Sequence, residues 1–158
     1  MADSQTVQRH GRILALDLGK KRIGLAVSDE LGITAQGIET LQRTRVREDL
    51  DALKQIAANY AVHTLLIGRP LHMSGDESRQ SEYTAEFAQR LGDHLKIPVV
   101  FWDERLTSAE AERMLRQAGA SLDERKKAVD RISAVLLLES YLGYRDGLAD
   151  AAEGASLG

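Results

Sequence analysis

Three carboxylates stand at positions where an acidic side chain is unusual. Asp17 lies inside an apolar run that predicts a strand, Glu104 follows a second such run, and Asp130 opens an otherwise apolar helix. A charge placed among core residues costs several kcal/mol unless it is paired or binds a metal ion. One such placement could arise by chance, whereas three together suggest a metal-binding site.

Asp17 also has a purely structural interpretation. Strand alternation puts it on the same face as Ile13 and Ala15. A buried salt bridge to Arg22, or a turn at Gly19, would account for its charge without any chemistry. The glycines alone indicate no more than a tight hairpin, although glycine lets a backbone approach a phosphate closely. The position of Asp17 directly before this turn favours a functional role.

Glu104 lies between a predicted strand and a predicted helix. Thr107-Ser108-Ala109-Glu110 fits a helix capping box, in which a hydroxyl and a glutamate satisfy exposed amides. Ligands gather at such strand ends in α/β sheets. The alternative is that Asp103 and Glu104 are solvated loop charges that pair with Arg105.

Asp130 has small residues just after it, Ser133 and Ala134. Small side chains would let this helix pack closely on a sheet and bring Asp130 towards the first strand. The alternative role is an aspartate in the first turn of a helix, where the helix dipole favours a negative charge.

Composition and charge narrow the function classes. The chain has 158 residues, is 43% hydrophobic and 28% charged, and contains no cysteine, which excludes disulfides, thiol catalysis and cysteine–metal sites. Its polar N-terminus and short apolar runs predict neither a signal peptide nor a membrane span, so we expect a soluble, cytoplasmic protein. A net charge of −3 argues against indiscriminate nucleic-acid binding through a global field.

Basic residues nevertheless form three local clusters: Lys20 to Arg22, Arg43 with Arg45 and Arg47, and Arg125 to Lys127. Such clusters are usually solvated faces. Two of them lie beside Asp17 and Asp130 in the chain, which raises the expectation of phosphate contacts there.

Hydrophobic periodicity predicts which elements must position these residues. The predicted strands are Arg12–Leu18, Arg22–Ser28, about Ile33–Leu41, Val62–Gly68 and Pro98–Asp103. The predicted helices are about Val46–Tyr60, Ser78–Leu95, Thr107 to near Gly119, and Asp123–Leu142 with its end at Gly143. This order predicts an α/β fold with a mixed sheet covered on both faces. We expect one domain over residues 12–145, with disordered tails at 1–11 and 146–158.

Several segments resemble the YqgF family. Leu14 to Asp29, LALDLGKKRIGLAVSD, resembles its N-terminal signature. Ile67–Pro70 with Met73–Gly75 resembles its GLP…MDG loop, Asp103–Ser108 resembles its DERLTT motif, and Asp130 to Leu142 resembles its DxxAAxxIL…YL helix. The family comprises bacterial RNase H-like proteins related to the RuvC Holliday junction resolvases and described as pre-16S rRNA nucleases. The similarity runs from about Ile13 to Leu142, with all motifs in order.

The resemblance implies an RNase H-like fold, with a five-stranded sheet of three antiparallel strands followed by parallel βα units. It implies that Asp17, Glu104 and Asp130 are catalytic and hold metal, two ions of Mg²⁺ or Mn²⁺, which prefer oxygen ligands. The residues expected to bind substrate lie beside these carboxylates: Lys20, Arg22, Arg105, Thr107, Lys126 and Lys127. The implied substrate is RNA, at the 5′ end of precursor 16S rRNA or within a pre-ribosomal particle, with structured DNA left open and no membrane partner.

The chain departs from the family pattern at three positions. Arg69 replaces an apolar residue, Ser74 replaces an aspartate, and Ser133 replaces a common alanine. The RNase H-like strand order also puts the strand before Glu104 two places from the first strand, roughly 9–10 Å away at ~4.8 Å per strand. Glu104 would then reach the metal only with substrate bound, or Asp103 would share its task.

Other functions compete with an RNA nuclease. A DNA resolvase of the Holliday-junction type would use the same triad. A non-catalytic nucleic-acid-binding or regulatory module on a nuclease fold is disfavoured by the intact triad. A phosphotransferase of the actin–hexokinase type also has Asp and Gly after its first strand, but it needs two such domains around a cleft. Oligomeric state is left open.

Overall fold

The computed structural model of the protein describes residues 11–69, 76–103, 116–117, 119, 121 and 132–145, apart from the side chains of residues 76–78. Six predicted site residues lie outside these described residues: Glu104, Arg105, Thr107, Lys126, Lys127 and Asp130. The tails at 1–10 and 146–158 also lie outside them. The roles assigned to all these residues therefore stay predictions.

The described elements follow the predicted ones closely. The strands are β1 (Arg12–Leu18), β2 (Arg22–Ser28), β3 (Ala35–Gln42), β4 (Val62–Arg69) and β5 (Val99–Asp103). The helices are α1 (Val46–Asn59), α2 (Asp76–Leu95) and α3 (residues 132–145). Gly119, near which a further helix was predicted to end, has a φ of +74°, and its N–H donates to the carbonyl of Arg116 at 3.1 Å.

The strands form one mixed sheet in the order β3-β2-β1-β4-β5. The pairs β1–β2 and β2–β3 are antiparallel, whereas β1–β4 and β4–β5 are parallel. This arrangement confirms the predicted fold class, including the position of β5 two places from β1. Because β1, β4 and β5 run in the same direction, their carboxyl ends meet at one edge of the sheet, where α/β proteins bind ligands.

Helices cover both faces of the sheet. One face carries Leu14 and Leu16 of β1 and packs against α1 and α2. The other face carries Ile13 and Ala15 and packs against α3. Since successive side chains of a strand point to opposite faces, the two cores share β1 between them.

α3 runs through residue 145, so the prediction that it ends at Gly143 is wrong. A glycine stops a helix where it adopts a left-handed conformation, and the described glycines with positive φ are Gly32 and Gly119. Tertiary contacts hold the two additional residues. The Tyr144 ring lies 4.9 Å from the Trp102 ring, and Nη2 of Arg145 donates to the carbonyl of Gly32 at 3.2 Å.

Candidate active site

Asp17 lies at the carboxyl end of β1, on the face that α3 covers, and is only 9% exposed. Its Cα partner on β2 is Gly24. On β4 it stands one residue beyond the Leu16–Ile67 pair, which places it beside Gly68. Neither neighbouring strand therefore sets a side chain directly beside this carboxylate. A cation or a phosphate group could approach Asp17 across the two glycines.

The turn after Asp17 needs a glycine. The N–H of Gly19 donates to the carbonyl of Arg22 at 2.9 Å, and a Cβ at Gly19 would lie 2.6 Å from that oxygen. The turn presents Lys20 to solvent, and alternation along β2 puts Arg22 on the face of Asp17. Two of the residues predicted to bind substrate thus lie in the turn that follows the predicted metal ligand.

The approach of α3 to β1 also agrees with the prediction made from its small residues. Ser133 and Ala134 are 1% and 0% exposed, and Ala134 packs in one cluster with Ile13 and Ala15. This places α3 on the sheet face of Asp17. Asp130 stands two positions before the first described residue of α3 and is not itself described.

The structure does not favour Asp103 as a companion of Asp17. Trp102 packs against the core on the α3 side, so alternation along β5 places Asp103 on the opposite face. Its Cα partner there is Arg69, whose guanidinium stacks 4.8 Å from the centre of the Phe101 ring. The idea that Asp103 shares the task of Glu104 therefore loses support.

Ser28 and Asp29, the last two residues of the N-terminal signature, form hydrogen bonds that stabilise the fold. Ser28 Oγ accepts a hydrogen bond from the backbone N–H of Ile13 at 2.8 Å. Asp29 Oδ1 accepts the N–H groups of Thr34 at 3.0 Å and Ile33 at 2.6 Å. These backbone bonds, that of Thr34 foremost, lower the pKa of Asp29 below its usual value. They also explain why β3 begins only after Thr34, because the loop uses the amides of both residues.

Sequence reasoning missed a buried ion pair on the other face of the sheet. Arg43, expected to belong to a basic cluster, has its Nε 3.2 Å from Oδ2 of Asp49, whereas Arg45 and Arg47 are exposed. A signal was available, because Asp49 stands in the apolar stripe of α1 at helical spacing from Val46. A charge in such a stripe requires a partner.

The described part of the chain contains no group of three or more His, Cys, Asp or Glu side chains that could hold a metal ion. Two of the three predicted ligands, Glu104 and Asp130, lie outside that part. Over the same ranges, no helix combines the length and apolar character that crossing a membrane requires.

The chain is similar in sequence to one family of proteins that are named as nucleases or resolvases. The family model RuvX, described as Holliday junction resolvase, matches residues 11–144. A protein of Koribacter versatilis, provisionally named a pre-16S rRNA nuclease, is 51% identical over 136 residues, covering 86% of this chain and 89% of its own length. A relative from Clostridium novyi with the same name is 47% identical over 131 residues, with 83% and 97% covered.

Solved structures share the fold at low sequence identity. RuvC of T. thermophilus in complex with a Holliday junction substrate aligns with a TM-score of 0.54 at 14% identity, over 84% of this chain and 96% of that one. The Fowlpox virus resolvase bound to Holliday junction DNA aligns with a TM-score of 0.50 at 14% identity, over 84% and 97%. These matches confirm the resemblance inferred from the motifs and the fold that it implied.

Proposed function

The chain belongs to the RuvX family of Holliday junction resolvase-like nucleases, and from this premise we propose that it hydrolyses RNA phosphodiester bonds with the help of divalent metal ions. We propose that it acts in the cytoplasm on the 5′ end of precursor 16S rRNA during ribosome biogenesis. The observation that carries the proposal is the buried Asp17 between two glycines at the carboxyl edge of the parallel strands.

The surroundings of Asp17 fit a hard cation. A carboxylate that is 9% exposed provides an anionic oxygen of the kind that Mg²⁺ and Mn²⁺ prefer. Asp17, Glu104 and Asp130 would hold the ions, two in number. When bound, such ions lower the pKa of an attacking water and stabilise the leaving oxygen.

The side chains around the triad would bind and orient the nucleic acid. Lys20 projects into solvent from the turn after Asp17, and Arg22 follows on the same sheet face as Asp17. Both cations suit backbone phosphates on either side of the scissile bond. We propose that further backbone phosphates bind to Arg105, Thr107, Lys126 and Lys127.

RNA is proposed as the substrate because relatives up to 51% identical carry a pre-16S rRNA nuclease name. The net charge of −3 supports a role for the pre-ribosomal particle in positioning that RNA, since the protein has no global positive field to attract it. The family description gives a second candidate, cleavage of branched DNA.

A cleavage assay on purified full-length protein tests the proposal. The substrates are a precursor 16S rRNA 5′ segment, unstructured single-stranded RNA and a four-way DNA junction, each with Mg²⁺, Mn²⁺ or EDTA. We expect metal-dependent cleavage of the rRNA segment. Preferred cleavage of the junction would show that the substrate is branched DNA and not RNA. If no substrate is cleaved, the protein is a non-catalytic binding module.

Asp17→Asn in the same assay tests the site. Its cleavage rate should fall by more than about 100-fold, since even outer-shell partners of a metal site are worth 10–100-fold. Thermal unfolding should show a folded variant, because asparagine keeps the size of the side chain. Asp93→Asn, on the exposed side of α2, is the matched control and should cleave like the wild type. Full activity of Asp17→Asn would remove Asp17 from the mechanism.

A further inference from the structure

Arg43 and Asp49 form an ion pair with almost no access to water. Nε of Arg43 lies 3.2 Å from Oδ2 of Asp49, and their side chains are 8% and 2% exposed. A buried pair of this kind contributes little net stability, because desolvating both charges offsets their attraction. Its contacts therefore suggest a role beyond holding the core together.

The contacts of Arg43 converge on the turn that follows Asp17. Nη1 of Arg43 donates to the carbonyl of Gly19 at 3.0 Å, and its backbone N–H donates to the carbonyl of Lys21 at 2.9 Å. One residue thus holds two of the three carbonyls between β1 and β2. Within the turn, the N–H of Gly19 donates to the carbonyl of Arg22.

Arg43 is itself immobilised by both helices on its face. Nη2 donates to the hydroxyl of Tyr83 at 2.6 Å, and the guanidinium lies 5.1 Å from the centre of the Phe87 ring. Asp49 is fixed in turn, since its Oδ1 accepts the backbone N–H of Thr44 at 3.0 Å. Only arginine has a planar fork of donors that can serve a carboxylate, a carbonyl and a hydroxyl at once.

We propose that Arg43, held by Asp49, is a positioning residue that fixes the Gly19–Lys21 turn and so sets the places of Asp17 and Lys20 for cleavage. The consequence for catalysis rests on the proposed function, whereas the fixing of the turn does not. Reactions at such sites are sensitive to geometry, because a misplacement of about 1 Å can cost about 100-fold in rate.

Two conservative variants test the proposal in the full-length protein. Arg43→Lys keeps the charge but loses the fork, and Asp49→Asn keeps the size and the acceptor for Thr44 but loses the charge. Each should lower kcat by about 10-fold or more at saturating substrate. The matched control is Asp51→Asn on the same helix as Asp49. It removes the charge from an exposed contact of 2.9 Å between Asp51 and His94 of α2 and should leave kcat unchanged.

Hydrogen exchange provides a readout that does not depend on cleavage. The Gly19 amide should exchange faster in both variants, while the Leu65 amide, bonded to Pro98 in the sheet, should stay protected. Acceleration of both amides together would indicate a merely structural role and overturn the proposal, as would an unchanged Gly19 amide or an unchanged kcat. If the wild type cleaves no substrate, the proposed function fails while the exchange experiment still decides whether Arg43 fixes the turn.

A milder variant covers the case in which both substitutions unfold the protein. Tyr83→Phe removes one acceptor of Arg43 and leaves the pair with Asp49 in place. It should accelerate exchange of the Gly19 amide less than Arg43→Lys or Asp49→Asn would in a folded protein. Exchange of the Leu65 amide should not change. No local change at Gly19 in a folded Tyr83→Phe protein would then contradict the proposal.

Discussion

Asp17 and Asp29 belong to one sequence signature but stand at opposite ends of the β1–β2 pair. Asp17 faces Gly24 across the β1–β2 pair and is flanked by glycine on both strands. Asp29 accepts two backbone N–H groups of its own loop. A carboxylate oxygen that accepts backbone N–H groups stabilises its loop, whereas a buried carboxylate with glycine beside it on both neighbouring strands is suited to bind a ligand.

Asp29 should make stability depend on pH in the acid range. Its pKa is lowered from 3.8 in the folded protein, so its contribution to stability is present above about pH 3.8 and is lost as the pH falls through the folded value. Asp29→Asn keeps an acceptor oxygen but not the charge. The stability difference between wild type and variant, measured by urea unfolding from pH 6 to pH 3, should shrink with falling pH. A difference that is constant with pH would contradict this.

Asp130→Asn distinguishes a metal ligand from a helix-start residue. As a ligand, it should lose cleavage activity, partly restored at high Mn²⁺, because Mn²⁺ accepts neutral oxygen donors. As an aspartate that only interacts with the helix dipole, it should lose about 0.3–1 kcal/mol of stability with activity intact. Thermal melts and cleavage rates on the same preparation separate the two outcomes.

Gly19 in the turn of the β1–β2 hairpin and Gly143 in α3 have different surroundings, which predict opposite effects of a substitution by alanine. Gly19→Ala would place a Cβ 2.6 Å from the carbonyl oxygen of Arg22. It should lower the free energy of unfolding by about 1–3 kcal/mol and also lower the cleavage activity. Gly143→Ala meets nothing within 4 Å and should stabilise α3 by about 0.5–1 kcal/mol. Denaturant unfolding of both variants measures these changes. Equal changes in the free energy of unfolding would contradict the predicted difference between the two glycines.

α3 carries a polar group that its packing does not need. The hydroxyl of Ser133 is buried without a hydrogen-bond partner among the described residues, and an unsatisfied buried group costs about 1–3 kcal/mol. Ser133→Ala should therefore raise the free energy of unfolding by about 1 kcal/mol. Ser140→Ala is the matched control, since Ser140 accepts a bond from Nε1 of Trp102 at 3.0 Å and its loss should destabilise. A loss of stability in Ser133→Ala would contradict this.

The molecule as a whole carries a net charge of −3, so nucleic-acid binding must depend on local cations. Lys20→Gln should remove about one phosphate contact and reduce the slope of log K against log salt by about 0.7–0.9. Lys54→Gln, on the exposed side of α1, makes the same charge change away from the site and should leave the slope unchanged. Binding titrations at several salt concentrations measure both slopes. Equal slopes for Lys20→Gln and Lys54→Gln would contradict a phosphate contact of Lys20.

Much of this architecture was predictable, because hydrophobic periodicity is a local property of the chain. β1 and β2 have the predicted bounds, and the sheet order matches the resemblance. The placement of Asp17 on the face of Ile13 and Ala15 also followed from alternation alone. For Glu104 and Asp130, the assignment to the site stays a prediction.

The amino-acid sequence by itself determined the elements, the family and the carboxylates with unusual positions, because all three are properties of neighbouring residues. Only the tertiary structure decided which side chains meet across the chain. It paired Arg43 with Asp49 and with the turn after Asp17, and it extended α3 past Gly143 by contacts to Trp102 and Gly32. The contacts from Arg43 to Gly19 and from Arg145 to Gly32 join segments far apart in the chain, so no local pattern encodes them.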